Sequence, residues 1–272
     1  KACYDSLDAY VESMRCAINT PSPLYEEIGI KQGDEYLQLN ANILQIENEY
    51  YSTVRPKQVP RGNEKPSTAL KQRGIAYVEL RSLDVNVFDP HGINSDQLYF
   101  LEVFMLFCLL EESPALSQSE ISAIDENLLL VAHQGRKPGL DLRRGEEKIS
   151  LQDWAIELCN RMKGVAKLLD LANYCENYFS SVKSQLASVF DPDLTPSARM
   201  LAEMEENDEG FFHHAQRMSK HHYRYYKTHE LAEDKLKFFE QLAEDSQNRQ
   251  KQIEQQDEMS FDEYLEDYFK NA

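Results

Sequence analysis

The feature that most constrains this chain is a change of hydrophobic period part-way along it. Strand-like alternation occurs early, and everything from Asn94 onward repeats with the spacing of helices. From Glu35 to Tyr51, Leu37, Leu39, Ala41 and Ile43 fall on one side of an extended chain and Gln38, Asn40 and Asn42 on the other. At Leu44 the phase inverts, which predicts a bulge or a change of exposure. A second strand is expected over Ile75 to Val85, after a Pro-, Gly- and Arg-bearing stretch, Arg55 to Lys71, that reads as a loop. A short helix, Leu7 to Ile18, precedes both and stops before Pro21.

The later helices announce their own starts. Asn94-Ser95 opens an apolar helix running through Leu110. Ser117-x-x-Glu120 and Ser150-x-x-Asp153 have the form of capping boxes. Thr195-Pro196 places a cap before a first-turn proline, and Ser260-x-x-Glu263 opens a terminal helix packed through Phe261, Tyr264, Leu265, Tyr268 and Phe269. Loops are expected at Gly135–Gly145 and Asp191–Pro196. Strands first and helices afterwards make the class α+β. Residues 1–92 are expected to carry the sheet, and 93–272 a helical portion with an acidic tail.

A net charge of −18, from 47 acidic and 29 basic side chains, argues against nucleic acid as a partner. A nucleotide stays compatible, because local cations can hold its phosphates. Five widely spaced cysteines suit free thiols in a reducing cytoplasm, with Cys108 expected to be buried in its apolar run. That run, Leu98 to Leu110, is too short for a bilayer, so no membrane is expected, and no signal peptide is visible. The chain begins at Lys1 rather than Met, which is compatible with a preceding segment.

The best chemical candidate is Tyr77-Val78-Glu79-Leu80-Arg81. In a strand, Glu79 and Arg81 share a face with their Cα atoms about 7 Å apart. A carboxylate there can take a hard cation, and a guanidinium can take a phosphate oxygen. The alternative is salt bridging on a solvated sheet face. A second candidate face joins Glu47, Glu49 and Tyr51, followed by Arg55 and Lys57 on a stiff proline turn; the alternative is an edge strand entering a basic loop. The doublets His213-His214 and His221-His222 lack ligand spacing and read as a partly exposed helix face. Trp154 reads as a core anchor.

Four ordered blocks carry a resemblance. They are Leu37–Asn40 through Leu44–Tyr51 with Arg55-Pro56-Lys57, then Tyr77–Asn86, then Gly135–Leu140, then Phe190–Arg199. Together they resemble the C-terminal half of proteobacterial glutamate–cysteine ligase, also called gamma-glutamylcysteine synthetase. The resemblance implies part of a glutamine synthetase-like fold, a curved antiparallel sheet with helices outside. It implies ligation of the γ-carboxylate of L-glutamate to L-cysteine with ATP and Mg²⁺ (Mn²⁺ as the alternative), through a γ-glutamyl phosphate, as the first step of glutathione synthesis. On this resemblance Glu79 is a metal ligand, Arg81 contacts the transferring phosphate, and Tyr51 lies near the cysteine carboxylate. Nothing here matches the family's N-terminal half, so the remaining site residues are expected from that half or from a companion chain. The other reading is a non-catalytic acidic helical module, or an inactive fragment.

Overall fold

The computed structural model describes residues 2–270 and divides the chain into two compact units, Lys1–Leu83 with Leu231–Ala272, and Asp84–Glu230. In the first unit, α1 (Leu7–Asn19) starts at Ser6, whose side chain accepts from the Ala9 N–H. Its buried stripe, Tyr10, Val11, Met14 and Ile18, has the 3–4-residue spacing of one helix face. A single turn, α2 (Pro23–Glu26), and a two-residue ribbon, β1 (Lys31–Gln32) with β2 (Glu35–Tyr36), follow.

Beyond Tyr36 the expected long strand does not form. Its polar residues are turned to local hydrogen bonds instead of to solvent. Gln38 donates to the carbonyls of Tyr25 and Gly29, Asn42 to that of Ile18, and Gln45 accepts from the Leu39 N–H. These three side chains satisfy backbone groups that a sheet ladder would otherwise serve. The segment ends in a 3-10 turn, Glu47–Glu49.

The expected loop over 55–71 contains two elements. β3 (Val54–Lys57) pairs antiparallel with β4 (Tyr77–Leu80), and α3 (Pro66–Arg73) lies between them in sequence. Pro66 suits the first helical position, and Gly74 at φ +72° ends the helix in a conformation that disfavours other residues. Leu70 of α3 packs on Tyr10, Val11 and Met14 of α1. β4 is shorter than the expected Ile75–Val85, although Arg81 N–H still donates to Thr53 O and Ala76 N–H to Lys57 O.

The second unit is helical: α4 (Ser95–Leu110), α5 (Gln118–Gln134), α6 (Leu151–Asn173), α7 (Asn177–Phe190), α8 (Pro196–Glu206) and α9 (Phe211–Thr228). The anticipated caps at Asn94, Ser117, Ser150 and Thr195 are all made. Its core joins Val103 and Phe107 of α4, Cys159, Met162 and Ala166 of α6, and Tyr178 and Val182 of α7. Two expectations need correction. The loop from Gly135 contains a hairpin, β5 (Asp141–Arg144) with β6 (Glu147–Ser150), turning at Gly145 with φ +65°. Cys108 is exposed and the buried thiol is Cys159, because the core-facing side of α4 is set by Val103 and Phe107. His214 is fully buried, 3.4 Å from a Glu203 carboxylate oxygen, while His213 and His221 are exposed, so the histidine face is partly exposed as expected. Trp154 is half-buried under the Arg144 guanidinium.

The chain then returns to the first unit. α10 (Glu233–Gln256) buries no residue, whereas α11 (Phe261–Lys270) buries Leu265. Asp262 of α11 pairs with Lys31 at 3.0 Å and accepts from the Tyr36 hydroxyl, while Phe261 meets the Tyr36 ring edge-on. The class is α+β, as the change of period predicts. Among the described residues, no helix is long and apolar enough to cross a membrane.

Candidate functional site

The β3–β4 ribbon assembles the polar group that the Glu-x-Arg spacing anticipates. Its register sets Val54 opposite Leu80, Arg55 opposite Glu79, Pro56 opposite Val78 and Lys57 opposite Tyr77. Glu79 Oε1 accepts from Arg81 Nη2 at 3.2 Å, and Arg81 Nε lies 3.0 Å from Oε2. Lys57 Nζ approaches the same Oε2 from the other strand at 3.5 Å. The Arg81 guanidinium in turn sits 5.3 Å from the centre of the Tyr51 ring, a cation–π distance. Tyr51, Lys57, Glu79 and Arg81 are thus one cluster.

Its electrostatics follow from the two cations. The hydrogen bond from Arg81 comes first, and the charge of Lys57 adds to it; together they hold the Glu79 carboxyl below the usual carboxylate range against partial burial. Glu79 is therefore ionised throughout the neutral range. About a third of each of the Glu79 and Arg81 side chains is exposed, at 32% and 31%, and Tyr51 is more open still. A site this open can exchange one partner for another.

Lys57 is the addition that spacing within one strand cannot supply, since its partner lies across the ribbon. The signal available is the Arg55-Pro56-Lys57 spacing, which puts two cations on one side of a short strand. The second candidate face is not assembled. Glu47 is buried at 2% exposure, and its carboxylate accepts from both the backbone N–H and the hydroxyl of Ser67. Glu49 folds back to accept from the Gln45 N–H at 2.7 Å. Arg55 is buried, with its guanidinium 5.8 Å from the Tyr50 ring centre. A 3-10 turn in place of a strand sends Glu47, Glu49 and Tyr51 in different directions, and only Tyr51 reaches the cluster.

As a magnesium site the cluster is incomplete. No group of three or more His, Cys, Asp or Glu side chains suited to a metal occurs among the described residues. Glu79 is one carboxylate, held by two cations, whereas Mg²⁺ takes six oxygens, several of them usually water. The residues present do not by themselves make a metal centre.

The fold that carries this ribbon has counterparts among solved structures. The chain superposes on a crystal structure of glutamate–cysteine ligase from Francisella tularensis in complex with AMP, with a TM-score of 0.91 at 34% identity, covering 99% of this chain and 53% of that one. A bifunctional glutathione synthetase from Pasteurella multocida shares the fold at a TM-score of 0.51 and 20% identity, over 82% of this chain and 24% of that one.

The sequence comparisons are more particular. The glutamate–cysteine ligase family model matches residues 1–131. Glutamate–cysteine ligases from Pseudomonas paraeruginosa and Pseudomonas putida are each 45% identical over 266 residues, which is 98% of this chain and 50% and 51% of theirs. This chain is a relative of the glutamate–cysteine ligases and corresponds to the C-terminal half of their sequence. It spans about half the length of the curated relatives it matches.

Proposed function

We propose that this chain is the C-terminal part of a cytoplasmic glutamate–cysteine ligase, contributing Glu79, Arg81 and Tyr51 to a site completed by residues outside it. The reaction is the ATP-dependent joining of the L-glutamate γ-carboxylate to the L-cysteine amine, the opening step of glutathione synthesis. The observation that carries the reading is the Tyr51–Arg81–Glu79–Lys57 cluster on a ribbon of a fold held in common with an AMP-bound ligase.

Each residue has a role its chemistry suits. Arg81 spreads the charge of the phosphoryl group as it passes from ATP to the γ-carboxylate, a task for fixed cations more than for covalent catalysis. Glu79 would supply one oxygen ligand to Mg²⁺, with the rest from the other half and from water, and the ion would neutralise the nucleotide phosphates. Tyr51, open and stacked under Arg81, lies beside the carboxylate of the cysteine. Were Glu79 to hold a metal, Arg81 would be free of it to face a phosphate.

Co-expressing the chain with the N-terminal half of the Pseudomonas putida relative tests this. γ-Glutamylcysteine should form only with both halves, ATP, L-glutamate and L-cysteine present. R81A should lower kcat by about 10²–10³-fold, the scale for losing one charge-stabilising donor. E79Q should raise the Mg²⁺ concentration needed for half-maximal rate. Wild-type rates from both variants in an active assembly would remove these roles, and an inactive but well-formed assembly would remove the ligase reading.

One observation favours a second reading, a docking module. α10 buries nothing and leaves Leu236, Phe238, Phe239 and Leu242 exposed. That reading predicts partner binding unchanged in an E79Q/R81A double variant, with no ATP turnover in any assembly.

A further inference from the structure

A second polar site lies elsewhere in the first unit, where residues leading into α3 face α11. Lys65 and Thr68 on one side, with Tyr264 and Tyr268 on the other, line a pocket of about 130 Å³. That volume holds roughly four waters at about 30 Å³ each, or one ligand of acetate size. None of these residues belongs to the Glu79 cluster.

The feature that calls for a ligand is Lys65. It is 4% exposed, and its ammonium is buried without a hydrogen-bond partner. The charge of Glu47 reaches it, but both Glu47 carboxylate oxygens already accept from Ser67. The ammonium is covered instead by the Tyr268 ring, whose centre is 4.7 Å away. A buried ammonium with three donors and no acceptor is costly, and a ring face offsets less of that cost than an anionic oxygen does. The backbone adds a second donor. Lys65 is the N-cap of the eight-residue α3, where Pro66 has no N–H, that of Ser67 is taken by Glu47, and that of Thr68 has no partner within the helix.

The surroundings set the charge of that ligand. Lys65 itself, and Arg15, whose charge also acts on it, favour an anion. Glu64 lines the pocket too, but two hydrogen bonds at 2.9 and 2.5 Å commit it to Arg73. Asp267, in the opposite wall, already has a partner of its own, and no contact with the ligand is asked of it. With these carboxylates and Glu47 close by, one negative charge on the ligand is matched by Lys65, and a second would meet like charge. A flat carboxylate offers two oxygens to the two donors and leaves a small apolar end for the tyrosine rings.

We propose that this pocket binds a small monocarboxylate, one oxygen on the Lys65 ammonium and the other on the Thr68 N–H, with the Tyr268 ring swinging off the ammonium to admit it. Because Tyr268 rides on α11 and Lys65 begins α3, occupancy is felt at both helices. The site stands independently of the ligase assignment.

NMR of the whole 272-residue chain tests it, following the Thr68 amide and the Tyr268 ring protons during titration with sodium acetate, the ionic strength held constant with sodium chloride. Saturable shifts at both positions are expected with acetate and none with methylammonium chloride, while the phosphate dianion should bind more weakly than acetate. K65M should weaken acetate binding by about tenfold or more, the loss of one charge-assisted contact. Y268L, which keeps an apolar side chain on α11 but removes the ring that competes for the ammonium, should strengthen it by about threefold. Absence of saturation with acetate, phosphate dianion binding as tightly as acetate, or full affinity in folded K65M would overturn the proposal. If K65M does not melt cooperatively, Y268L decides alone: tighter acetate binding supports the site, and unchanged or weaker binding overturns it.

Discussion

Two carboxylates in the same unit, Glu47 and Glu79, lie close to cations in sequence, and the structure uses them in opposite ways. Glu47 is buried and saturated by the backbone N–H and hydroxyl of one residue, Ser67, at the start of α3. Those donors are fixed by a helix, so the carboxylate can do little except hold α3 against the 3-10 turn. Glu79 is a third exposed and held by two long side chains, Arg81 and Lys57, each free to swing away. A carboxylate on rigid donors is a scaffold; one on flexible donors can change partners. Residue type and neighbouring charge do not distinguish the two, whereas the stiffness of the donors does.

The largest effect that would break this contrast is on stability. E47A should cost roughly 3 kcal/mol, since two buried donors lose their acceptor and Lys65 loses its nearest countercharge. S67A, which keeps the backbone donor, should cost about half of that. E79A should lower the melting temperature far less than either, since its partners are side chains that water can replace. Urea unfolding of the three variants makes the comparison, and a loss in E79A as large as in E47A would make Glu79 a scaffold too.

A smaller effect separates the buried Lys65 from the partly exposed Lys57. Burial lowers the Lys65 ammonium's pKa from that of a free lysine. With the folded value below the unfolded one, the unfolded chain binds more protons between them, so stability should rise as pH climbs through that window. K65M should lose this alkaline rise, and K57A should keep it. Thermal melts from neutral pH to the ordinary lysine range would show the difference, and identical curves for wild type and K65M would contradict it.

How much of this could be read from the residues alone depends on the distance over which each contact acts. Glu79 and Arg81 are two positions apart, so a strand places them together without any knowledge of the rest. The caps at Ser117 and Thr195 are equally local. The Glu47–Ser67 contact and the Lys57–Glu79 contact join separate elements, and only the ribbon register and the placement of α3 reveal them. The segment 37–46 misled for a different reason. Its alternation is real, but Gln38, Asn40, Asn42 and Gln45 carry amides that satisfy a folded loop as well as they would tolerate solvent. Period alone cannot separate a polar face from a set of internal donors. The α+β class survived because it rests on the long capped helices, where local signals agree with one another.

The smallest effect sharpens the contrast within the Glu79 cluster itself. Its carboxyl is held low first by the Arg81 hydrogen bond and then by Lys57. R81A should therefore move the Glu79 titration upward more than K57A does, and the double variant furthest. Because the folded value is the lowered one, these contacts stabilise the ribbon fully above the ordinary carboxylate range, and the benefit is lost as pH falls through the folded value. Each variant should narrow that acidic window by bringing the folded value closer to the unfolded one. Following the Glu79 side-chain carboxyl carbon by NMR between neutral and acidic pH gives the order directly. Should K57A shift it more than R81A, the cross-strand lysine would be the principal partner. Arg81 would then already be free for a phosphate, with no exchange at Glu79 required.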